Sequence, residues 1–177
     1  ISTRDWSSDV CSSDLVNLPK THKMMNPRYQ DLPAKSVPVV QLENGGWLKV
    51  LAGEYSGSVG PVKDIVADPI YYDIFLPEGK NLELEVKDNY TVFAYLYEGN
   101  ISFGESEKDN ARTGDCVKFT NGEIVSATAG KGGSKFLFVS GKPLNEPIAW
   151  GGPIVMNTAE ELEAAFKEYR DGNFIKK

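Results

Sequence analysis

Between Val37 and Ser140, apolar and polar residues follow one another in short runs, each closed by glycine, proline or asparagine. In NLELEV (81–86), Leu82, Leu84 and Val86 alternate with polar neighbours, the period of a half-buried strand. VPVVQLE is followed by Asn44-Gly45-Gly46 and then by WLKVLAGEY. The Asn-Gly step favours the positive φ of a tight hairpin turn. IYYDIFL ends at Pro77-Glu78-Gly79, TVFAYLY at Glu98-Gly99-Asn100, CVKFT at Asn121-Gly122, IVSATA at Gly130 and KFLFVSG at Gly141. Many short strands with frequent Gly and Pro turns predict an all-β sandwich or barrel. No tandem repeat of fixed period is present.

The flanks read differently. Residues 15–36 contain Pro19, Pro27 and Pro33, which interrupt regular structure, and this stretch is expected to be an extended connector. Its apolar residues, Leu15, Val16, Leu18, Met24 and Met25, imply that it lies against something. Near the other end, Thr158 stands three residues before Glu161, the spacing of a helical capping box. Leu162, Ala165, Phe166 and Tyr169 recur on one helical face, and Gly172 supplies a left-handed stop. Residues 1–14 fit neither pattern. They are rich in Ser and Asp, lack apolar periodicity, and have no signal-peptide character. The string RDWSSDVCSSDL reads as translated sequencing adapter, the alternative being a disordered natural tail. The expected organisation is therefore an appended segment 1–14, a connector 15–36, a barrel 37–157, and a helix with its tail 158–177.

Composition narrows the chemistry. The 177 residues carry a net charge of −6, which gives no electrostatic reason to expect nucleic-acid binding. Residues 1–14 contribute −2 of this (Arg4, Asp5, Asp9, Asp14), leaving −4. No apolar run reaches the ~18–20 residues of a membrane span, so no membrane partner is expected. Setting Cys11 aside leaves Cys116 alone, unable to form an internal disulfide, which suits a reducing, cytoplasmic setting. His22 is the one histidine, so a histidine-rich metal site cannot be assembled.

Three stretches carry a resemblance. VNLPKTHKMMNPRYQDLP (16–33) resembles the interdomain segment of the pirin family. GKPLNEPIAWGGPIVMNTAEE (141–161) resembles its C-terminal motif, and YLYEGNISFG (95–104) the barrel segment of the same half. Pirins are bicupins, two small double-stranded β-helix barrels in one chain. The resemblance implies a cupin-type (RmlC-like) barrel here, with an N-terminal connector and one C-terminal α-helix. It also implies that the family's metal, usually iron, is held by three histidines and a glutamate of an N-terminal barrel. Those ligands precede the interdomain segment, so none carries over, and no cofactor is expected in this chain.

Cupins in general place two histidines and a glutamate before a turn glycine and a further histidine after a second turn. With Gly99 as the first turn glycine, the glutamate position falls on Val92 and the histidine positions within Glu85 to Asp88. In the second motif Gly114-Asp115 and Gly122 match, but the last histidine position is Val125. The glycines keep the turns, and the valines are expected to fill the barrel. No catalytic, cofactor-binding or metal residue is therefore assigned.

Other candidates read as structural. His22 could be a stray ligand or base, but lacks a second ligand and is expected to be a partly exposed connector residue. Glu83, Glu85 and Asp88 read as a solvated strand face rather than a cation site. Gly130, Gly132 and Gly133 around Lys131 lack the phosphate-loop order and are expected to form a flexible hairpin tip. Cys116, with no histidine partner in sequence, is expected to pack rather than react. The resemblance then implies a metal-free structural half whose intact parent is a quercetin 2,3-dioxygenase-type enzyme. A regulatory protein-binding pirin and an inactive fragment are the alternatives. The expected partner is an N-terminal cupin half, with self-association through the exposed interface in its absence.

Overall fold

The computed structural model describes residues 16–104 and 110–175; the appended segment 1–14, with Cys11, lies outside them. The chain divides into two compact units, one from Leu32 to Pro143 and one formed by the stretch up to Asp31 with Leu144 onward.

In the first unit, β1 (Val39–Gln41), β2 (Trp47–Ala52), β3 (Glu54–Tyr55), β4 (Ser58–Val59), β5 (Ile70–Leu76), β6 (Asn81–Glu85), β7 (Thr91–Phe103), β8 (Asn110–Arg112), β9 (Cys116–Lys118) and β10 (Ile124–Gly141) follow in order. The two long strands organise everything else. The second half of β10 pairs antiparallel with β5 and with the first half of β7. Its first half pairs with β6 and with the end of β7. β1 and β2 extend the sheet beyond β5, and β9 and β8 flank the two halves of β7. Two antiparallel sheets thus share β7 and β10, the plan of a β-barrel made from two facing sheets.

The expected break at Glu98-Gly99-Asn100 is a bend inside β7, and the expected hairpin tip at Gly130–Gly133 is a bend inside β10. The burial pattern gives the reason. Inward residues of β7 are Val92, Ala94 and Leu96, then Ile101 and Phe103. Those of β10 are Val125, Ala127 and Ala129, then Ser134, Phe136 and Phe138. Side chains alternate with a period of two, so each strand changes parity at its bend. The ladder between them skips from Ala129 to Ser134 and again between Lys135 and Phe136. Gly99, Gly132 and Gly133 take φ of 88°, 85° and 83°, which residues with a Cβ disfavour. Bulges and glycines at paired positions turn a barrel corner without ending either strand.

The core lies between the sheets. Leu48, Ile74, Leu76, Phe136 and Phe138 are fully buried. Phe136 meets Phe103 edge-on at 5.7 Å, and Phe138 stacks on Tyr72 at 6.1 Å. Burial of its hydroxyl-bearing ring raises the Tyr72 pKa to about 12, and its hydroxyl donates to the Glu54 carbonyl.

The second unit contains β11 (Ala149–Gly151), β12 (Ile154–Met156) and α1 (Ala159–Arg170). The β11–β12 hairpin packs on α1 at Gly151, where a Cβ would come within 3.0 Å of Phe166 and 3.3 Å of Leu162. The capping box forms as expected, with Thr158 Oγ1 accepting from the Glu161 amide and Glu161 Oε2 accepting from the Thr158 amide. Gly172 follows the helix with φ of 75°. Tyr169 departs from the expected buried face: it is exposed and meets Phe174 edge-on at 6.2 Å. The connector is less extended than expected, with single 3-10 turns at Lys20–His22 and Ala34–Ser36, each directly preceded by a proline. Thr158→Ala is expected to cost the helix about 1 kcal/mol, read as a fall in the urea midpoint with an unchanged slope; no fall would show that the cap contributes nothing.

Candidate functional site

The positions that the cupin pattern assigns to metal ligands lie on β7, on β10 and at the end of β6. Val92 projects from β7 and Val125 from β10, 4% and 7% exposed, and both belong to the apolar core. Neither side chain offers a donor atom to a metal. The stretch Glu85 to Asp88 runs from the end of β6 into a turn, with Val86 packed against the core and Glu85, Lys87 and Asp88 exposed. Lys87 instead pairs with Asp68 at 2.5 Å, and Tyr90 donates to the same carboxylate at 2.8 Å. The hydrogen bond from Lys87, followed by that from Tyr90, holds the Asp68 carboxyl below its ordinary range. Among the described residues, no group of three or more His, Cys, Asp and Glu is placed to hold a metal ion. The residues present do not fit the family's iron.

The other sequence candidates are exposed or half-buried residues. Glu83 and Glu85 are exposed on β6, as a solvated face requires. His22 is half-buried in the connector, with Nδ1 2.8 Å from the Thr21 hydroxyl. Cys116 is exposed on β9, so the packing expected of it is not its role. Gly114 keeps a turn with φ of 97°, its amide donating to the Leu96 carbonyl.

Two clusters were not anticipated. On the outer face of the sheet, Asp73 is 6% exposed and sits opposite Lys49, whose Nζ is 3.1 Å from Oδ2. Tyr97, the extra residue where the β7–β10 register shifts, donates to Asp73 Oδ1 at 2.6 Å. Burial, reinforced by this hydrogen bond, pushes the Tyr97 hydroxyl far above its ordinary pKa. Lys49 also lies 4.5 Å from the Trp47 ring centroid. An aspartate inside the apolar run IYYDIFL is the signal that could have found this cluster, because buried acids are paired. A neutral tyrosine and a paired carboxylate complete the packing of the sheet and leave no reactive group.

The second cluster ties the connector to the C-terminal motif within their own unit. Glu146 Oε2 accepts from the Lys20 amide at 2.8 Å and from Asn157 Nδ2 at 3.0 Å. Lys20 Nζ lies 3.0 Å from Glu161 Oε1, and Glu161 Oε2 accepts from the Asn157 amide at 3.0 Å. The hydrogen bond from Lys20, then that from the Asn157 backbone, lowers the Glu161 carboxyl pKa. Two of the three stretches that carry the resemblance, far apart in sequence, thus meet in one polar clasp.

Comparison with known proteins decides the family. The model of the pirin C-terminal cupin domain matches residues 71–175. This chain belongs to the pirin family. A pirin-like protein of Caulobacter vibrioides is 34% identical over 160 residues, covering 90% of this chain and 56% of that protein. Pirin-1 of Arabidopsis thaliana is 33% identical over 159 residues, covering 88% and 55%. A crystal structure of quercetin 2,3-dioxygenase from Acinetobacter baumannii superposes with a TM-score of 0.82 at 32% identity, over 90% of this chain and 55% of that one. The chain spans a little over half the length of these relatives. Its barrel is a cupin, and the pirin C-terminal motif includes the clasp residues Glu146, Asn157 and Glu161 within the matched region. Among the described residues, no helix is long and apolar enough to cross a membrane.

Proposed function

We propose that this pirin chain is a metal-free structural cupin half that braces a metal-dependent N-terminal half, the intact protein being a quercetin 2,3-dioxygenase-type enzyme. The observation that carries the reading is the burial of Val92 and Val125 at the positions where a cupin would present its ligands. A carboxylate or imidazole there would need a metal or a hydrogen-bonding partner to offset its burial, whereas valine stabilises the barrel by filling it. The likeness to a solved quercetin 2,3-dioxygenase supports the assignment of the parent activity. Regulatory binding to a protein partner is the second reading. It is favoured by the exposed Ile148 and Trp150 within the C-terminal motif, a surface that needs no metal to act.

The purified chain is expected to retain no Fe, Ni or Zn in stoichiometric amount after dialysis, and to show no oxygen-dependent turnover of quercetin. Metal analysis and oxygen uptake check both. One tightly bound ion per chain, or turnover by this chain alone, would place the catalytic half here and overturn the reading.

A further inference from the structure

The sequence contains two Asn-Gly steps, Asn44-Gly45 and Asn121-Gly122. At such a step the backbone amide of the glycine, unshielded by a Cβ, can approach the side-chain carbonyl carbon of the asparagine. The fold holds the two steps differently. Asn44 is fixed at both ends of its side-chain amide: Nδ2 donates to the Asn81 carbonyl at 2.7 Å, and Oδ1 accepts from the Gly46 amide at 2.9 Å. The Gly45 amide is itself engaged, donating to the Leu42 carbonyl at 3.0 Å. Asn121 and Gly122 are both exposed, in the bend between β9 and β10. Among the described residues neither the Asn121 side chain nor the Gly122 amide has a hydrogen-bond partner. Chain neighbours apart, no heavy atom lies within 4 Å of the place where a Gly122 Cβ would stand. The bend is pinned outside this pair, by the Phe119 amide donating to the Val92 carbonyl and the Val86 amide donating to the Glu123 carbonyl.

We propose that Asn121 is a site of spontaneous deamidation and isoaspartate formation, and that the fold protects Asn44 from the same reaction. The Gly122 nitrogen loses its proton to hydroxide and bonds to the side-chain carbonyl carbon of Asn121. The bond from that carbon to the amide nitrogen breaks, and ammonia leaves after taking a proton from water. A second water opens the resulting cyclic imide at either carbonyl. One opening yields aspartate. The other yields isoaspartate, with the backbone rerouted through the side-chain carbon. Either product adds one negative charge to the chain's net −6. Because the anchoring hydrogen bonds lie outside the pair, the bend absorbs the lengthened backbone and the core stays as it is. At Asn44 the same attack must first free the side chain and the Gly45 amide. Breaking those hydrogen bonds is expected to slow it at least about tenfold relative to Asn121. The site is independent of whether the intact protein is an enzyme or a regulator.

The test is peptide mapping of the full chain after incubation at neutral pH and physiological temperature in heavy-oxygen water, which labels the carboxyl oxygen gained by hydrolysis. Labelled aspartate and isoaspartate peptides are expected at Asn121, with at most about a tenth as much label at Asn44. The rate at Asn121 should rise with pH, because the attacking amide must first lose its proton. A parallel incubation in urea is expected to bring the two sites to similar rates, since unfolding removes the hydrogen bonds that hold Asn44. Gly122→Ala, whose added methyl meets open space, is expected to keep the far-UV signal and lose most of the label at Asn121. Should that variant fail to fold, the comparison of the folded and unfolded parent chain decides by itself. Label at Asn44 as high as at Asn121 in the folded protein, or an Asn121 that stays intact while the unfolded chain reacts, would overturn the proposal.

Discussion

Gly99→Ala is expected to weaken the barrel by about 3 kcal/mol, against the 5–15 kcal/mol that holds a typical domain together. Gly99 sits at the bend of β7 with φ of 88°. A Cβ there would lie 2.2 Å from the Gly133 carbonyl oxygen and 3.1 Å from the Ser134 Cα. Left-handed backbone alone costs an ordinary residue ~1–2 kcal/mol. The clash is with backbone, so relief requires β7 and β10 to part where both sheets share them, with ladder hydrogen bonds lost at ~1 kcal/mol each. Gly79→Ala is the control. Gly79 has φ of 69° but open space where a Cβ would stand, so its variant should show the backbone penalty alone. Urea unfolding of the two variants separates the effects. A Gly99→Ala loss no larger than that of Gly79→Ala would mean that the close approach of the strands is not what holds the corner.

Those bends also mark where sequence reading stops. The runs IYYDIFL and NLELEV were legible as β5 and β6 because their patterning and flanking turn residues agree. The capping box was legible because Thr158 and Glu161 are neighbours in sequence. Gly99 and Gly130–Gly133 were read as ends because glycine allows both a turn and a bulge, and only the partner strand distinguishes them. The parity change from Ala129 to Phe136 was written in the sequence, but it has meaning only when set beside that from Leu96 to Ile101. In the Lys49–Asp73–Tyr97 cluster, Asp73 inside IYYDIFL signals a buried acid, but its partners depend on two strand registers and a bulge. Val92 and Val125 could be placed from the turn glycines, because the spacing to those glycines is local.

The second large effect concerns association. Leu15, Val16, Leu18, Met24 and Met25 of the connector imply a surface for it to lie against, which an absent N-terminal half would leave incompletely covered. Leu15 lies outside the described residues and Leu18 is half-buried, while Val16, Met24 and Met25 are exposed. More prominent are Ile148 and Trp150, 71% and 73% exposed, two positions apart on the β11 edge of the C-terminal hairpin. Residues two apart in extended chain share a face, so the two side chains make one apolar surface. The Trp150 indole donates to the Gly152 carbonyl at 2.7 Å, which fixes its polar edge and leaves the ring presented. Exposed aromatic anchors of this kind drive association. The chain is expected to run larger than its 19.5 kDa mass at micromolar concentration. The double variant Ile148→Ser, Trp150→Ser should return most of it to monomer without loss of far-UV signal. Light scattering during chromatography checks both, and a double variant that associates as strongly as the parent would clear this surface of the role.

The same measurement, repeated with an added pirin N-terminal half, bears on the central claim that this chain is one half of a two-barrel unit. The expected result is a 1:1 complex that forms at the expense of self-association and persists on dilution. A dilution-stable monomer of this chain that elutes unchanged beside the N-terminal half would contradict it.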